Sequence, residues 1–295
     1  MTTMIPERAA RAACILLLVG EMAVAQDIAH MTVVAPVANM YRTPSVEADV
    51  VSQAIFSNDV LALETKGDWV HIRTADDYTG WVATSDVRAV GGDKIYAGSG
   101  RVASVSNLFA ILYREPNIET HRPLLTVPFE SRLEVTEEKD TPDGLFYGVK
   151  LPDGTASWIQ SGDVSFESKK LTIAESIALG KRFLGLPYTW GGTSSLGYDC
   201  SGFTQMLMRH RGVLMPRDSG VQAKWDGFVA VERKNLKAGD LLFFANSKGK
   251  INHTGMYIVN GQFIHASRWN APVVQIGRLN DAPWTVRFAA ARRPK

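Results

Sequence analysis

Between about Val33 and Val164 the chain alternates apolar and polar residues in short runs broken by turn formers. WVHIRT (69–74) leads into DDYTGWV (76–82), and FYGVKL (146–151) leads into PDGTASWI (152–159). Alternation with a period of two residues predicts half-buried β-strands, and the intervening Asp, Gly and Pro predict tight turns. The same spacing is used twice. Trp69 to Trp81 is 12 residues and so is Phe146 to Trp158, while Trp81–Asp86 and Trp158–Asp163 are both five apart. YRTP (41–44) recurs as YREP (113–116) and Phe56 recurs as Phe129, so offsets of 72 to 77 residues relate two copies of one supersecondary unit. Five or so strands in about 65 residues predict a small barrel for each copy. His71 alternates with Val70 and Ile72 and is expected to point outward, whereas Trp69, Trp81 and Trp158 are expected in barrel cores.

The period changes at Leu171. In TIAESIALGKRFLG the apolar residues Ile173, Ile177, Phe183 and Leu184 recur at helical spacing, and Thr172 with Glu175 reads as a capping box. Gly185 and Pro187 end that helix. A second helix is expected from Ser201 to about His210, with Asp199 as its N-cap. Beyond Pro216 the pattern returns to strands: DLLFFA, HTGMYIV, an Asn260-Gly261 hairpin turn, QFIHAS, PVVQI and TVRFAAA. Helices first and an antiparallel sheet afterwards predict an α+β domain. The expected order is two all-β barrels over 26–95 and 96–166, then the α+β domain over 167–295.

Composition narrows this picture modestly. The 295 residues are 45% hydrophobic and 21% charged, ordinary for a globular protein, and a net charge of +2 without a long basic run gives no support for nucleic acid as a partner. The N-terminus matters more. Arg8 and Arg11, an apolar stretch over 12–20 and Ala23-Val24-Ala25 read as a secretion leader over residues 1–25. The alternative is a buried helix, since the stretch is too short to span a bilayer stably. Cys14 falls inside that leader and does not follow a lipobox, so cleavage would leave Cys200 as an exported protein's unpaired thiol.

Cys200 stands where a glycine-rich loop meets a helix, and the first turn of a helix favours thiolate over thiol. A lone cysteine also reads simply as a small buried residue. His253 and His265 occur on the two strands of the Asn-Gly hairpin and could share one sheet face. His265 would then fix the tautomer of His253 and aim its other nitrogen at sulfur, which supplies a nucleophile, a base and an orienting group for acyl transfer. One Cys and two His could in principle bind zinc, but no compact ligand spacing supports it. His30 and His121 have loop-like surroundings, and His210 sits at a helix end where a positive imidazole is favourable, so none is expected to be catalytic.

In order, YTWGG (188–192), DCSGF (199–203), MPRDS (215–219), AGDLLFF (238–244), HTGMYI (253–258) and FIHAS (263–267) resemble the NlpC/p60 family of cell-wall cysteine peptidases over about Leu171 to Arg293. GDWVHIRTADDYTGWV (67–82) resembles bacterial SH3-like domains, and the second copy does so less closely because Ser157 replaces the glycine before tryptophan. The resemblance implies Cys200 as nucleophile, His253 as base and His265 as the third polar residue, without metal or cofactor. It implies Tyr188 as a hydroxyl that helps hold the oxyanion, with the Cys200 N–H as a second donor. Paired SH3-like domains ahead of the peptidase resemble the recycling-type members, which cleave the γ-D-glutamyl–diamino acid bond of murein peptides carrying a free N-terminal L-Ala. Asp199 is then the expected carboxylate for the ammonium, unless it is only a helix cap. Ser201 and Ser219 are expected polar contacts, unless Ser219 merely caps a helix after Pro216. Asp49 and Tyr78 of the first barrel are expected to close the cleft, although the family's acid there is typically Glu. Arg217 and Asp218 are expected as a structural ion pair. The implied partner is a murein peptide and the implied location periplasmic or extracellular. Other readings stay open here: a hydrolase or amidase of broader specificity on intact wall, or a wall-binding module with little activity.

Overall fold

The computed structural model describes Met1 and residues 29–91, 94–142, 144–167 and 169–295; the expected leader and Cys14 lie outside the described residues. The first unit contains β1 (Ala29–Val33), β2 (Val37–Tyr41), β3 (Val50–Ile55), β4 (Asp59–Lys66), β5 (Trp69–Arg73), β6 (Thr79–Ala83) and β7 (Val87–Arg88). They hydrogen-bond in the order β3-β2-β6-β5-β4-β1-β7. The second unit contains β8 (Val102–Val105), β9 (Phe109–Tyr113), β10 (Pro123–Pro128), β11 (Arg132–Thr141), β12 (Gly144–Lys150), β13 (Ala156–Gln160) and β14 (Val164–Ser165). Its order, β10-β9-β13-β12-β11-β8-β14, is the same topology seven strands on, so the sequence repeat is a structural repeat. Each copy has seven strands rather than five, because short first and last strands pair with each other, as β1 does with β7.

Alternation sets the barrel interior. Val70, Ile72 and Val82 are buried with Met40 and Val60, while Trp69, His71 and Trp81 lie half-buried on the outer side. His71 therefore points outward as expected, and it stacks on Trp81 with ring centroids 4.9 Å apart. The tryptophans do not fill the cores: period two sends Trp69 and Trp81 opposite to Val70 and Val82, and Trp158 is likewise half-buried. The glycine before Trp81 is inward-facing, and a β-carbon on Gly80 would lie 2.8 Å from that of Met40. In the second copy Ser157 fills this place, buried, and its hydroxyl donates to the Tyr113 carbonyl at 2.9 Å.

The third unit places α1 (Ile173–Arg182) and α2 (Cys200–His210) on a sheet ordered β17-β22-β18-β19-β20-β21. Its strands are β17 (Phe228–Val231), β18 (Leu241–Ala245), β19 (Ile251–Tyr257), β20 (Gln262–Ser267), β21 (Val273–Arg278) and β22 (Phe288–Pro294); the short strands β15 (Thr193–Ser194) and β16 (Gly197–Tyr198) pair apart from it, and α3 (Ser219–Gln222) and α4 (Trp284–Arg287) are single turns. Thr172 and Glu175 close the capping box on α1, satisfying first-turn donors reciprocally. The continuous apolar run of β18 is explained by burial on both sides. Leu241 and Phe243 join the core beneath the helices, and Leu242 and Phe244 join a second cluster with Phe263 and Trp284. Asn260 and Gly261 take positive φ, +51° and +76°, as the tight turn between β19 and β20 requires.

The repeated phenylalanine links the three units. Phe56 of the first barrel is buried in the core of the second, and Phe129 of the second is buried in the core of the third. Each is followed by a residue with positive φ, Ser57 at +71° and Glu130 at +72°, which turns the chain so that its predecessor projects into the neighbour. The junctions are then bonded. Ser57 accepts from Arg132 N–H at 2.6 Å, and Glu130 takes Arg209 at 2.6 Å and His210 at 3.0 Å. His210 is thus an interdomain contact at the end of α2, and His30, expected in a loop, lies in β1 with its Nδ1 2.9 Å from Asp59.

Candidate active site

Cys200 opens α2, where the first backbone N–H groups lack intrahelical partners. Asp199 is the N-cap: its Oδ1 accepts from Gly202 N–H at 2.7 Å. The helix reaches this position because two glycines let backbones touch. A β-carbon on Gly202 would lie 2.2 Å from the Gly192 carbonyl oxygen, which itself accepts from Asp199 N–H at 3.0 Å. The thiol is buried, and the backbone N–H groups of Thr254 and Ser201 donate toward its sulfur. Thr254 directly follows His253, so sulfur sits against the middle of β19.

His253 Nε2 and His265 Nδ1 are 2.8 Å apart, and both rings are buried. They lie among Phe244, Phe263 and Trp284: Trp284 stacks on His253 at 4.9 Å and meets His265 edge-on at 4.8 Å. Gly255 makes room for the pair, since a β-carbon there would lie 2.9 Å from that of His265. Nothing in the local sequence marks Trp284. Its partners lie on strands about 20 and 30 residues earlier, beyond the reach of local periodicity.

Electrostatics oppose the thiolate expected from the helix terminus alone. Burial, and then the Asp199 carboxylate, push the Cys200 thiol up to about 12, against the N–H groups and Arg217 that favour its anion. Burial, and then the Arg287 guanidinium, bring His253 down to about 3, and burial with the neighbouring His253 holds His265 well below the imidazole range. Both shifts favour the uncharged forms, thiol and imidazole.

Arg217 defines the opposite wall. Its guanidinium is buried and grips Asp199 with both arms, Nη1 to Oδ1 at 3.0 Å and Nη2 to Oδ2 at 2.7 Å. Nη1 also donates to Ser201 Oγ at 2.9 Å, and Nε donates to Ser52 Oγ of the first barrel at 3.1 Å. The ion pair expected between Arg217 and Asp218 is therefore made with Asp199 instead, which leaves Asp199 already neutralised.

Comparison with known proteins fits this geometry. Residues 185–293 match the NlpC/P60 family, residues 40–87 the bacterial dipeptidyl-peptidase Sh3 domain, and residues 95–165 the GW (Gly-Tryp) dipeptide domain. The γ-D-glutamyl-L-lysine dipeptidyl-peptidase of Bacillus cereus is 36% identical over 82% of this chain and 74% of its own. The Bacillus subtilis protein of the same name is 30% identical, over 83% and 81%. The chain belongs to the NlpC/P60 family. A crystal structure of an NlpC/P60 family protein from Bacillus cereus superposes with a TM-score of 0.77 at 29% identity, covering 90% of this chain and 99% of the other.

Within this NlpC/P60 chain the remaining expected residues are divided between the first barrel, with Asp49 and Tyr78, and the third domain, with Tyr188 and Ser219. Tyr188 is half-buried before β15, and its phenol is held neutral, well above its usual range, by burial and by the proximity of Cys200 and Asp199. Tyr78 of the first barrel donates to Asp218 Oδ2 at 3.3 Å. Asp49 is 76% exposed and pairs with Arg42 at 3.6 Å. Ser219 is the first residue of α3 rather than its cap: the N-cap is Asp218, without a side-chain bond to the helix. Gln53 accepts from Thr193 N–H at 3.1 Å and Asp76 accepts from Gln205 at 2.8 Å, pinning the first barrel to the peptidase domain. No group of three His, Cys, Asp or Glu able to hold a metal is gathered among the described residues, and no helix among them is long and apolar enough to cross a membrane.

Proposed function

We propose that this protein is an exported cysteine peptidase that hydrolyses the γ-D-glutamyl–diamino acid bond of murein peptides whose N-terminal L-Ala is free. The names of the relatives support the bond, and the Tyr78–Asp218 contact carries the specificity. An ammonium needs an anion that is not already satisfied. Asp199 is gripped by Arg217, whereas Asp218 is exposed beside a phenol supplied by another domain. Asp218 with Tyr78 and Ser219 therefore forms the amine end of the cleft. Asp49 contributes from the first barrel through Arg42, whose charge reaches Tyr78. Asp199 and Ser201 act from beneath by fixing the Cys200 loop.

In this reading His253 Nε2–H donates to His265 Nδ1, leaving His253 Nδ1 as the base. It accepts the thiol proton as sulfur attacks the γ-carbonyl carbon, which avoids a free thiolate in a buried site. Tyr188 O–H and Cys200 N–H stabilise the oxyanion. The imidazolium then protonates the leaving amine, and water, deprotonated by the same imidazole, hydrolyses the thioester. The test is mass spectrometry of products from L-Ala-γ-D-Glu-diamino acid peptides. L-Ala-γ-D-Glu accumulates with the native enzyme, not with Cys200→Ala, and not after acetylation of the L-Ala amine. Undiminished turnover of the acetylated peptide would refute the amine specificity.

A further inference from the structure

The leaving-group side of the cleft carries a cation that the chemistry above does not use. Arg287, at the end of α4, is half-buried and fixed by two neutral acceptors: Nε donates to the Ala245 carbonyl at 3.0 Å and Nη2 to Asn252 Oδ1 at 2.7 Å. Asn252 is the neighbour of His253 in the chain, and the guanidinium lies 5.8 Å from the centroid of Trp284, the ring stacked on His253. No carboxylate among the described residues pairs with it, whereas Arg42, Arg101, Arg209, Arg217 and Arg293 all have acid partners. A positive charge held rigidly beside the base disfavours the imidazolium that catalysis must form, and it is felt there: after burial, Arg287 is what lowers His253. That penalty is relieved when an anion arrives on the leaving group, because His253 must hand its proton to the leaving amine and the departing residue extends from that nitrogen.

Building on the proposed bond specificity, we infer that Arg287 is a substrate-binding residue that recognises a carboxylate of the departing diamino acid. Two carboxylates share this chemistry: the α-carboxylate of a tripeptide that ends at the diamino acid, and the second carboxylate of a dicarboxylic diamino acid such as diaminopimelic acid. A guanidinium with a free arm suits either, and a charge-assisted bond of this kind discriminates by about tenfold or more, equivalent to about 1.4 kcal/mol.

The test uses the full chain and four substrates: L-Ala-γ-D-Glu linked to L-Lys or to diaminopimelic acid, each with its α-carboxylate free or amidated. Native enzyme is expected to prefer one carboxylate-bearing form by at least about tenfold in kcat/KM, expressed in KM. Preference for free over amidated L-Lys peptide assigns the α-carboxylate, and preference for amidated diaminopimelate over amidated L-Lys assigns the second one. Arg287→Gln removes the discrimination by raising KM for the preferred substrate to that for amidated L-Lys peptide, whatever common change in kcat follows from the altered charge beside His253, and Arg287→Lys restores part of it. Native enzyme that treats all four alike overturns the inference, as does Arg287→Gln lowering all four equally. Failure of native enzyme to cleave any of the four refutes the bond specificity itself, which is a separate outcome.

Discussion

Replacing Arg217 by Met separates the structural from the electrostatic role of the buried ion pair. The Asp199 carboxylate has four donors: Gly202 N–H, Ser201 O–H and two arms of Arg217. The substitution removes the two charged ones and leaves an anion only 8% exposed as a residue. Breaking one partner of a buried pair costs about 3–5 kcal/mol, and the surviving helix-cap geometry, worth about 1 kcal/mol, places this case near the lower end. The bond to Ser52 is lost as well, which loosens the first barrel. The expected loss is about 3 kcal/mol, a fall in Tm of roughly 6–12 °C. The second consequence is chemical. Asp199 raises the Cys200 thiol and Arg217 lowers it, so Arg217→Met leaves sulfur less acidic and Asp199→Asn more so.

Two assays check this. Thermal unfolding of both single variants and the double gives the coupling, with the double less destabilised than the sum because neither charge is then stranded. Alkylation of Cys200 across pH ranks thiol acidity as Asp199→Asn, native, Arg217→Met. A loss below about 1 kcal/mol in Arg217→Met, or alkylation profiles that coincide for all three proteins, would refute the account.

Three further outcomes are expected. Phe129→Ala, which empties the plug between the second barrel and the peptidase core, should cost about 3–5 kcal/mol and expose the α2 end to limited proteolysis, and Phe56→Ala should do the same one junction earlier; unchanged unfolding curves would contradict the plug. Glu130 is held down to about 2, because Arg209 and His210 outweigh its burial, so its folded value lies below the unfolded one. That stability is complete above the normal carboxylate range and lost as pH falls toward 2, by about 3 kcal/mol in all, and Glu130→Gln should abolish that part of the acid dependence in urea titrations. For His253 and His265 the folded values also lie below the unfolded ones, so the unfolded chain binds more protons: stability is full above the ordinary imidazole range and falls by up to about 1.4 kcal/mol per pH unit for each ring as pH drops through it, a slope that His265→Asn should reduce.

Legibility in the sequence followed the range of each physical signal. Period-two alternation exposed the repeat, and a capping box and an Asn-Gly turn gave local boundaries that the backbone obeys. The two histidines were readable as one pair because a hairpin fixes which residues face each other. The same alternation contradicts the core places expected for Trp69 and Trp81: size suggests core, but their neighbours Val70 and Val82 already take the inward places. Adjacency in the chain suggests Asp218 as the partner of Arg217, whereas the acid it grips stands 18 residues earlier and a further contact lies in another domain. Trp284 and Arg287 carried no motif at all, since their meaning comes from strands they meet only after folding. The Phe56–Phe129 correspondence was visible as a repeat, but nothing local says that each side chain leaves its own barrel.

These plugs bear on the chemistry. In the proposed reading the amine end joins Tyr78 of the first barrel to Asp218 of the third domain, so the cleft works only if the domains hold their register, and a tyrosine–carboxylate contact at 3.3 Å is too weak to impose it. Register comes instead from buried apolar plugs and from Arg217, which contacts Ser52, Ser201 and Asp199 at once. With that framework fixed, Tyr78 and Asp218 can remain exposed enough to meet an ammonium. In the proposed mechanism Cys200 and His253 meanwhile stay neutral until a peptide displaces water and aligns a carbonyl. Loosening either junction should therefore first raise KM for short peptides with a free amine, and only at greater disruption reduce the intrinsic reactivity of the thiol. Phe56→Ala assayed by both measures distinguishes this from a general loss of fold, because alkylation of Cys200 should remain native-like when KM has already risen.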